Sequence, residues 1–162
     1  MATPRTLEEW LAFQQALHPR AMDFTLDRMR VMVRRLGIDR GRARIVTVGG
    51  TNGKGSVTAT LESLGEHAGL AVGLYTSPHL ERYTERIRIR RREIDEATLV
   101  SVFARIEAVR GDVALTYFEY GTLAAFVAFA DANLDLWVLE VGLGGRLDAV
   151  NVLDADWPWW CR

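Results

Sequence analysis

The sequence predicts an α/β fold, a parallel sheet of the phosphate-loop type with helices on both faces. Three observations carry that expectation. A β-prone run, Ile45-Val46-Thr47-Val48, enters the glycine-rich loop Gly49-Gly50-Thr51-Asn52-Gly53-Lys54-Gly55-Ser56. A helical pattern follows at once, with Val57, Leu61, Leu64 and Ala68 at three- and four-residue spacing. Further on, the apolar run Leu136-Trp137-Val138-Leu139 ends on a carboxylate, Glu140.

Strand, glycine loop and helix together make an anion cradle. Glycines let backbone N–H groups converge, the helix start adds partial positive charge, and Lys54 adds a full one. The spacing departs from the usual phosphate-loop pattern, because Gly55 separates Lys54 from the hydroxyl residue Ser56. The residues expected on nucleotide phosphate are therefore Gly50, Thr51, Asn52, Gly53, Lys54, Gly55 and Ser56.

The totals bound the rest. A chain of 162 residues, 49% hydrophobic and 25% charged, suits one modest soluble domain. A formal net charge of −1 gives no reason to expect nucleic acid or an acidic membrane as partner. One cysteine, Cys161, excludes an internal disulfide and suits a reducing compartment. The N-terminus lacks the apolar core of a signal peptide, and the longest apolar run, Leu123 to Ala130, is too short to span a bilayer. A cytoplasmic location is expected.

In chain order, Thr6 and Glu9 form a capping box that opens a helix carrying Leu7, Trp10, Leu11 and Leu17, stopped by His18-Pro19. A second helix is expected from about Leu26 to Leu36, with Met29, Met32, Val33 and Leu36 on one face and Gly37 as its stop. After the phosphate-loop helix, Leu70 to Tyr75 reads as a strand paired in parallel with the first through a right-handed crossover. Thr76-Ser77-Pro78-His79-Leu80 then lies beyond a strand's carboxyl end, where ligands bind in open α/β sheets. Arg86-Ile87-Arg88-Ile89-Arg90 alternates, which predicts a half-exposed strand with its arginines toward water. Asp95 caps a helix bearing Leu99, Val102, Phe103, Ile106 and Val109, ended by Gly111. Thr116 to Gly121 opens a helix whose body is apolar on all sides and hence buried. A carboxylate ending a buried strand beside a phosphate loop, as Glu140 does, suits the metal of a nucleotide.

Four of these segments, in order, resemble the folylpolyglutamate synthases of the Mur ligase superfamily. They are Gly50-Thr51-Asn52-Gly53-Lys54-Gly55-Ser56, Thr76-Ser77-Pro78-His79-Leu80, Leu115-Thr116-Tyr117-Phe118-Glu119-Tyr120-Gly121, and Leu139-Glu140 through Asp148-Ala149-Val150-Asn151. The resemblance covers about Leu7 to Asp156, the amino-terminal part of the family's central ATP-binding domain. It implies an ATP-dependent ligase that joins L-glutamate to dihydropteroate or reduced folate through an acyl phosphate. ATP and Mg²⁺ are the implied cofactors, and a monomer the implied state at full length. Lys54 and Glu140 would be catalytic, and Ser77 with Glu140 would hold the metal. Asp23, Phe24, Thr25, Leu26, Thr116, Tyr117, Phe118, Glu119, Leu147, Asp148 and Ala149 would contact the pterin substrate. This chain alone is expected to be an inactive fragment of that ligase; a non-catalytic nucleotide-binding fragment or pseudogene product, and another Mur-type amino-acid ligase, are the alternative readings.

The resemblance also predicts a division into a helical lead-in over 1–40, a phosphate-loop core over 45–156 and a tail, 157–162, that departs from the family. A glutamate-binding domain, a third metal-binding His and a carbamylated Lys are expected in full-length members and have no counterpart in this sequence. Trp157-Pro158-Trp159-Trp160-Cys161-Arg162 is wrong in kind for the family. Shifted by two bases, its codons read as small apolar residues, so a frameshift is expected there. The sheet would then end after about three core strands, with an apolar edge that favours aggregation.

Overall fold

The computed structural model describes residues 4–17, 25–143 and 145–161. Five helices are present among them: α1 (Leu7–Leu17), α2 (Asp27–Leu36), α3 (Lys54–His67), α4 (Glu96–Arg110) and α5 (Tyr117–Asp131). Six strands form one sheet: β1 (Arg44–Gly50), β2 (Val72–Tyr75), β3 (Ile87–Ile89), β4 (Arg92–Glu93), β5 (Leu136–Glu140) and β6 (Trp157–Cys161). Their order is β4-β3-β2-β5-β1-β6. β2, β5, β1 and β6 are parallel, with β6 at one edge, and β3 and β4 add antiparallel at the other.

Local signals account for the helices. Thr6 and Glu9 exchange the hydrogen bonds of a capping box at α1. Thr116 and Glu119 do the same at α5, at 2.8 and 3.2 Å. Asp95 caps α4 by accepting the Thr98 N–H. Gly37 closes α2 in the left-handed conformation, with φ of 61°.

The two faces of the sheet are covered unequally. Val46, Val48, Val72, Leu74, Leu136 and Val138 face α3. Ile45, Tyr75, Trp137 and Leu139 face the larger core built with α1, α2, α4 and α5. Helix α5 is buried from Glu119 to Phe129, as its uniformly apolar body requires.

Four expectations need correction. The strands flanking α3 are parallel, yet they do not pair, because β5 lies between them and bonds both. The buried face of α3 is Thr58, Glu62 and Gly65, while Leu64 is 62% exposed; periodicity names a stripe, and the sheet beneath takes only a narrow one. The arginine ladder is not uniformly wet. Arg86 is buried in a 3-10 turn (Tyr83–Arg86), and Arg88 is half-buried, paired with the buried Glu62 at 3.2 Å. The tail does not leave the sheet after three strands, for β6 pairs in parallel with β1 from Val46↔Trp157 to Gly50↔Cys161. Its Trp157, Trp159 and Trp160 remain more than half exposed, as expected of an apolar edge.

Candidate functional site

The register of β1 and β5 brings the phosphate loop and the strand-end acid to one end of the sheet. Val48 is opposite Glu140, two residues before Gly50 ends β1. Gly53 is the N-cap of α3 at φ of 78°, a left-handed conformation that glycine adopts without strain. No side chain caps this helix start, so its first N–H groups face the loop. Lys54 is half-buried, and its Nζ donates to the Gly50 carbonyl at 2.9 Å, curling the ammonium back over the loop. Thr51, Asn52, Gly53, Gly55 and Ser56 are exposed. An anion could settle against these amides without displacing anything.

Glu140 is 5% exposed. One of its oxygens accepts the Ser77 N–H at 3.1 Å. Burial raises its pKa, and the Ser77 N–H and the Lys54 ammonium counter part of that shift. Among the described residues no cation lies within ion-pair distance, so the lone pairs that Ser77 leaves over have no strong partner. A buried oxygen donor in that state, bonded to the backbone of the hydroxyl residue Ser77, fits a hard divalent ion. Among the described residues no three His, Cys, Asp or Glu side chains converge on a common point. The protein contribution here would be one carboxylate and one hydroxyl.

Beside Ser77 opens a cavity of about 290 Å³. Of the residues expected on the pterin, Thr25, Thr116, Tyr117, Phe118 and Glu119 line it from α5 and the approach to α2. Leu147, Asp148 and Ala149 line it as well. Leu26 lies instead on a neighbouring hollow that Leu147 shares. Asp23 and Phe24 fall outside the described residues.

Two acids in this cavity are held differently. Glu119 receives the Thr116 N–H and the Arg28 guanidinium, whose Nη2 lies 3.0 Å away, so its charge is compensated. Asp148 is 3% exposed and accepts the backbone N–H groups of Leu143 at 2.8 Å and Val150 at 3.0 Å. Burial pushes its pKa up to about 6 despite those donors.

Ser77 and Pro78 are common to two spaces. They line the apolar cavity, and they also line the hollow that contains Gly55 of the phosphate loop and Glu140. Whatever fills the cavity therefore meets whatever sits on the loop at Ser77.

Sequence reasoning set Arg86 on the wet face of a strand and did not foresee that Gly142 makes room for a ring. Arg86 lines the cavity, donates through Nε to His79 Nδ1 at 2.8 Å, and lies over the rings of Tyr83 and Tyr117. Gly142 leaves room for the Phe118 ring, which a Cβ would meet at 2.8 Å. The only sequence signal for Arg86 was its place at the head of the alternating run, just past the Thr76 to Leu80 segment.

No family model matches the chain. Among curated proteins it is 51% identical over 150 residues to the dihydrofolate synthase/folylpolyglutamate synthase of Escherichia coli (strain K12), covering 93% of this chain and 36% of that protein. It is 43% identical over 149 residues to the protein of the same name from Haemophilus influenzae, covering 92% and 34%. Among solved structures, E. coli FolC in complex with DHPP and ADP superposes with a TM-score of 0.94 at 48% identity, over 99% of this chain and 39% of that one. A bifunctional folylpolyglutamate synthase/dihydrofolate synthase with Mn, AMPPNP and L-glutamate bound gives 0.91 at 48% identity, over 98% and 39%. The chain spans little more than a third of the length of the curated relatives it matches.

Proposed function

We propose that this chain, which corresponds in sequence and fold to the amino-terminal part of a dihydrofolate synthase/folylpolyglutamate synthase, is the part of such a ligase that binds ATP phosphates, a divalent metal and a pteroate. The whole protein would join L-glutamate to dihydropteroate or reduced folate. One observation carries this reading: the Ser77-Pro78 wall shared by the apolar cavity and the phosphate-loop hollow. A pteroate occupying the cavity would present its carboxylate where the loop presents a γ-phosphate.

The chemistry follows from that meeting. A carboxylate resists amines because its leaving group is poor. Transfer of the γ-phosphoryl group onto the carboxylate oxygen releases ADP and gives an acyl phosphate. The glutamate amine then attacks the acyl carbon, loses a proton, and displaces inorganic phosphate. The residues of this chain serve that sequence by position and charge. Gly50 to Ser56 cradle phosphate, with Lys54 on its oxygens. Glu140 and Ser77 would hold Mg²⁺, which supplies charge neutralisation when bound. The Tyr117 and Phe118 rings, with Leu147 and Ala149, would enclose the flat pterin. Asp148 would accept hydrogen bonds from pterin N–H groups.

Among the described residues no helix is long and apolar enough to cross a membrane. One cysteine and a near-neutral charge suit a cytoplasmic enzyme, and we take the full-length protein to be a monomer. The chain by itself is expected to bind its ligands without turnover. Calorimetric titration of the purified chain with Mg·ADP and with pteroate tests the reading. Both should bind, and Lys54→Met should weaken Mg·ADP at least tenfold while sparing pteroate. A chain that binds neither ligand would overturn the proposal.

A further inference from the structure

Arg86 is a buried cation without an acid partner. It is 8% exposed, and among the described residues no carboxylate lies within ion-pair distance. Buried guanidinium groups ordinarily have one, because losing hydration without compensation is costly. The neighbouring acids are all engaged elsewhere. Glu85 accepts the backbone N–H groups of Leu80, Glu81 and Arg82. Glu93 takes Arg82 and Thr84. Within the cavity, Glu119 takes Arg28, and Asp148 takes backbone amides.

The side chain is nonetheless held firmly. Its Nε donates to His79 Nδ1, and its guanidinium carbon lies 5.1 Å from the Tyr83 ring centre and 5.6 Å from that of Tyr117. One N–H is thereby used on His79, the guanidinium also reaches the Tyr75 hydroxyl, and its remaining N–H donors meet no carboxylate among the described residues. Its location is also defined. The Arg86 carbonyl accepts the Thr76 N–H at 2.9 Å, so Arg86 adjoins the residue before Ser77. It lines the cavity together with Ser77 and Pro78.

We propose that Arg86 receives the carboxylate of the aryl-acid substrate and delivers it to Ser77, through a fork oriented by His79 and the Tyr83 and Tyr117 rings. A guanidinium fork matches a carboxylate in two parallel hydrogen bonds. The substrate then supplies the acid that the protein withholds. This deepens the pteroate reading of the cavity and rests on it.

The test is calorimetric titration of the full chain with pteroate and with its neutral carboxamide, in wild type, Arg86→Met and Arg86→Lys. Wild type should prefer the acid about 10- to 100-fold, the range for a charge-assisted pair. Arg86→Met should erase that preference by weakening the acid alone, leaving the carboxamide within twofold and Mg·ADP unchanged. Arg86→Lys should keep part of the preference. Equal weakening of acid and carboxamide would make Arg86 a support for the cavity wall and overturn the proposal, as would unchanged affinity for the acid. If Arg86→Met fails to fold, wild type alone decides, since equal binding of acid and carboxamide refutes an anion anchor. A wild-type chain that binds Mg·ADP but neither pterin compound would fail the pteroate reading and this proposal together.

Discussion

Asp148→Asn is expected to remove a pH-dependent loss of stability. The carboxyl is 3% exposed, and burial raises its pKa from 3.8 to about 6, countered only by backbone N–H donors. That difference of roughly 2 units, at about 1.4 kcal/mol each, corresponds to about 3 kcal/mol. The sign follows from proton binding. The folded chain holds this proton more tightly than the unfolded chain, so the favourable contribution is whole below about pH 4. It is lost as pH rises through about 6, and nothing further changes above that. Asparagine carries no charge to desolvate, although only one of its two polar atoms can accept the Leu143 and Val150 N–H groups. The informative quantity is therefore the wild-type-minus-variant difference across pH, not the absolute stability at one pH. Urea unfolding followed by tryptophan fluorescence at pH 4, 5, 6 and 7.5 should show that difference moving against wild type by about 3 kcal/mol. Other titrating groups cancel in the subtraction, including Asp156, which Ile45, Arg44 and Arg40 hold at about 2. A difference that stays constant with pH would refute the argument, for Asp148 would then ionise as a solvated acid.

Glu140→Gln should abolish the stabilisation that Mg·ADP gives the chain, about 2.7 kcal/mol at a hundredfold excess over Kd, while leaving the ligand-free chain at least as stable; melting with and without Mg·ADP checks both halves. Arg28→Ala should destabilise the chain by about 3 kcal/mol, because Glu119, 4% exposed at its side chain, loses its guanidinium partner; chemical unfolding measures it, and a change under 1 kcal/mol would contradict it. Gly73→Ala should cost about 1–3 kcal/mol, since a Cβ there meets Phe129 at 2.8 Å between β2 and α5. Replacing Trp159 and Trp160 with Thr should reduce self-association in light scattering, because both lie more than half exposed on β6, an edge strand paired on one side alone.

Much of the candidate site was legible because the pattern that marks it is local. The phosphate loop needs consecutive residues, a strand before it and a helix after it, and these stand side by side in the sequence. Glu140 was legible for the same reason, as a charge ending an uninterrupted apolar strand. Caps at Thr6, Asp95 and Thr116 depend on spacings of three residues and were readable or recoverable from the chain. Arg86 was not legible. Alternation assigns every second residue of a strand to one face, but β3 begins only at Ile87, and the preceding 3-10 turn sends Arg86 inward.

By itself the sequence determined most of the element types, the glycine-rich loop at Gly50 to Ser56, the acid at Glu140 and the family that its four segments resemble. Only the tertiary structure decided that β5 enters between β1 and β2, since parallel strands are joined by crossovers that do not reveal their neighbours. That insertion sets Glu140 beside the loop and against Ser77. It was also the tertiary structure that left one buried guanidinium without an acid, because burial and pairing are properties of what folds over a residue, not of the residues beside it in the chain.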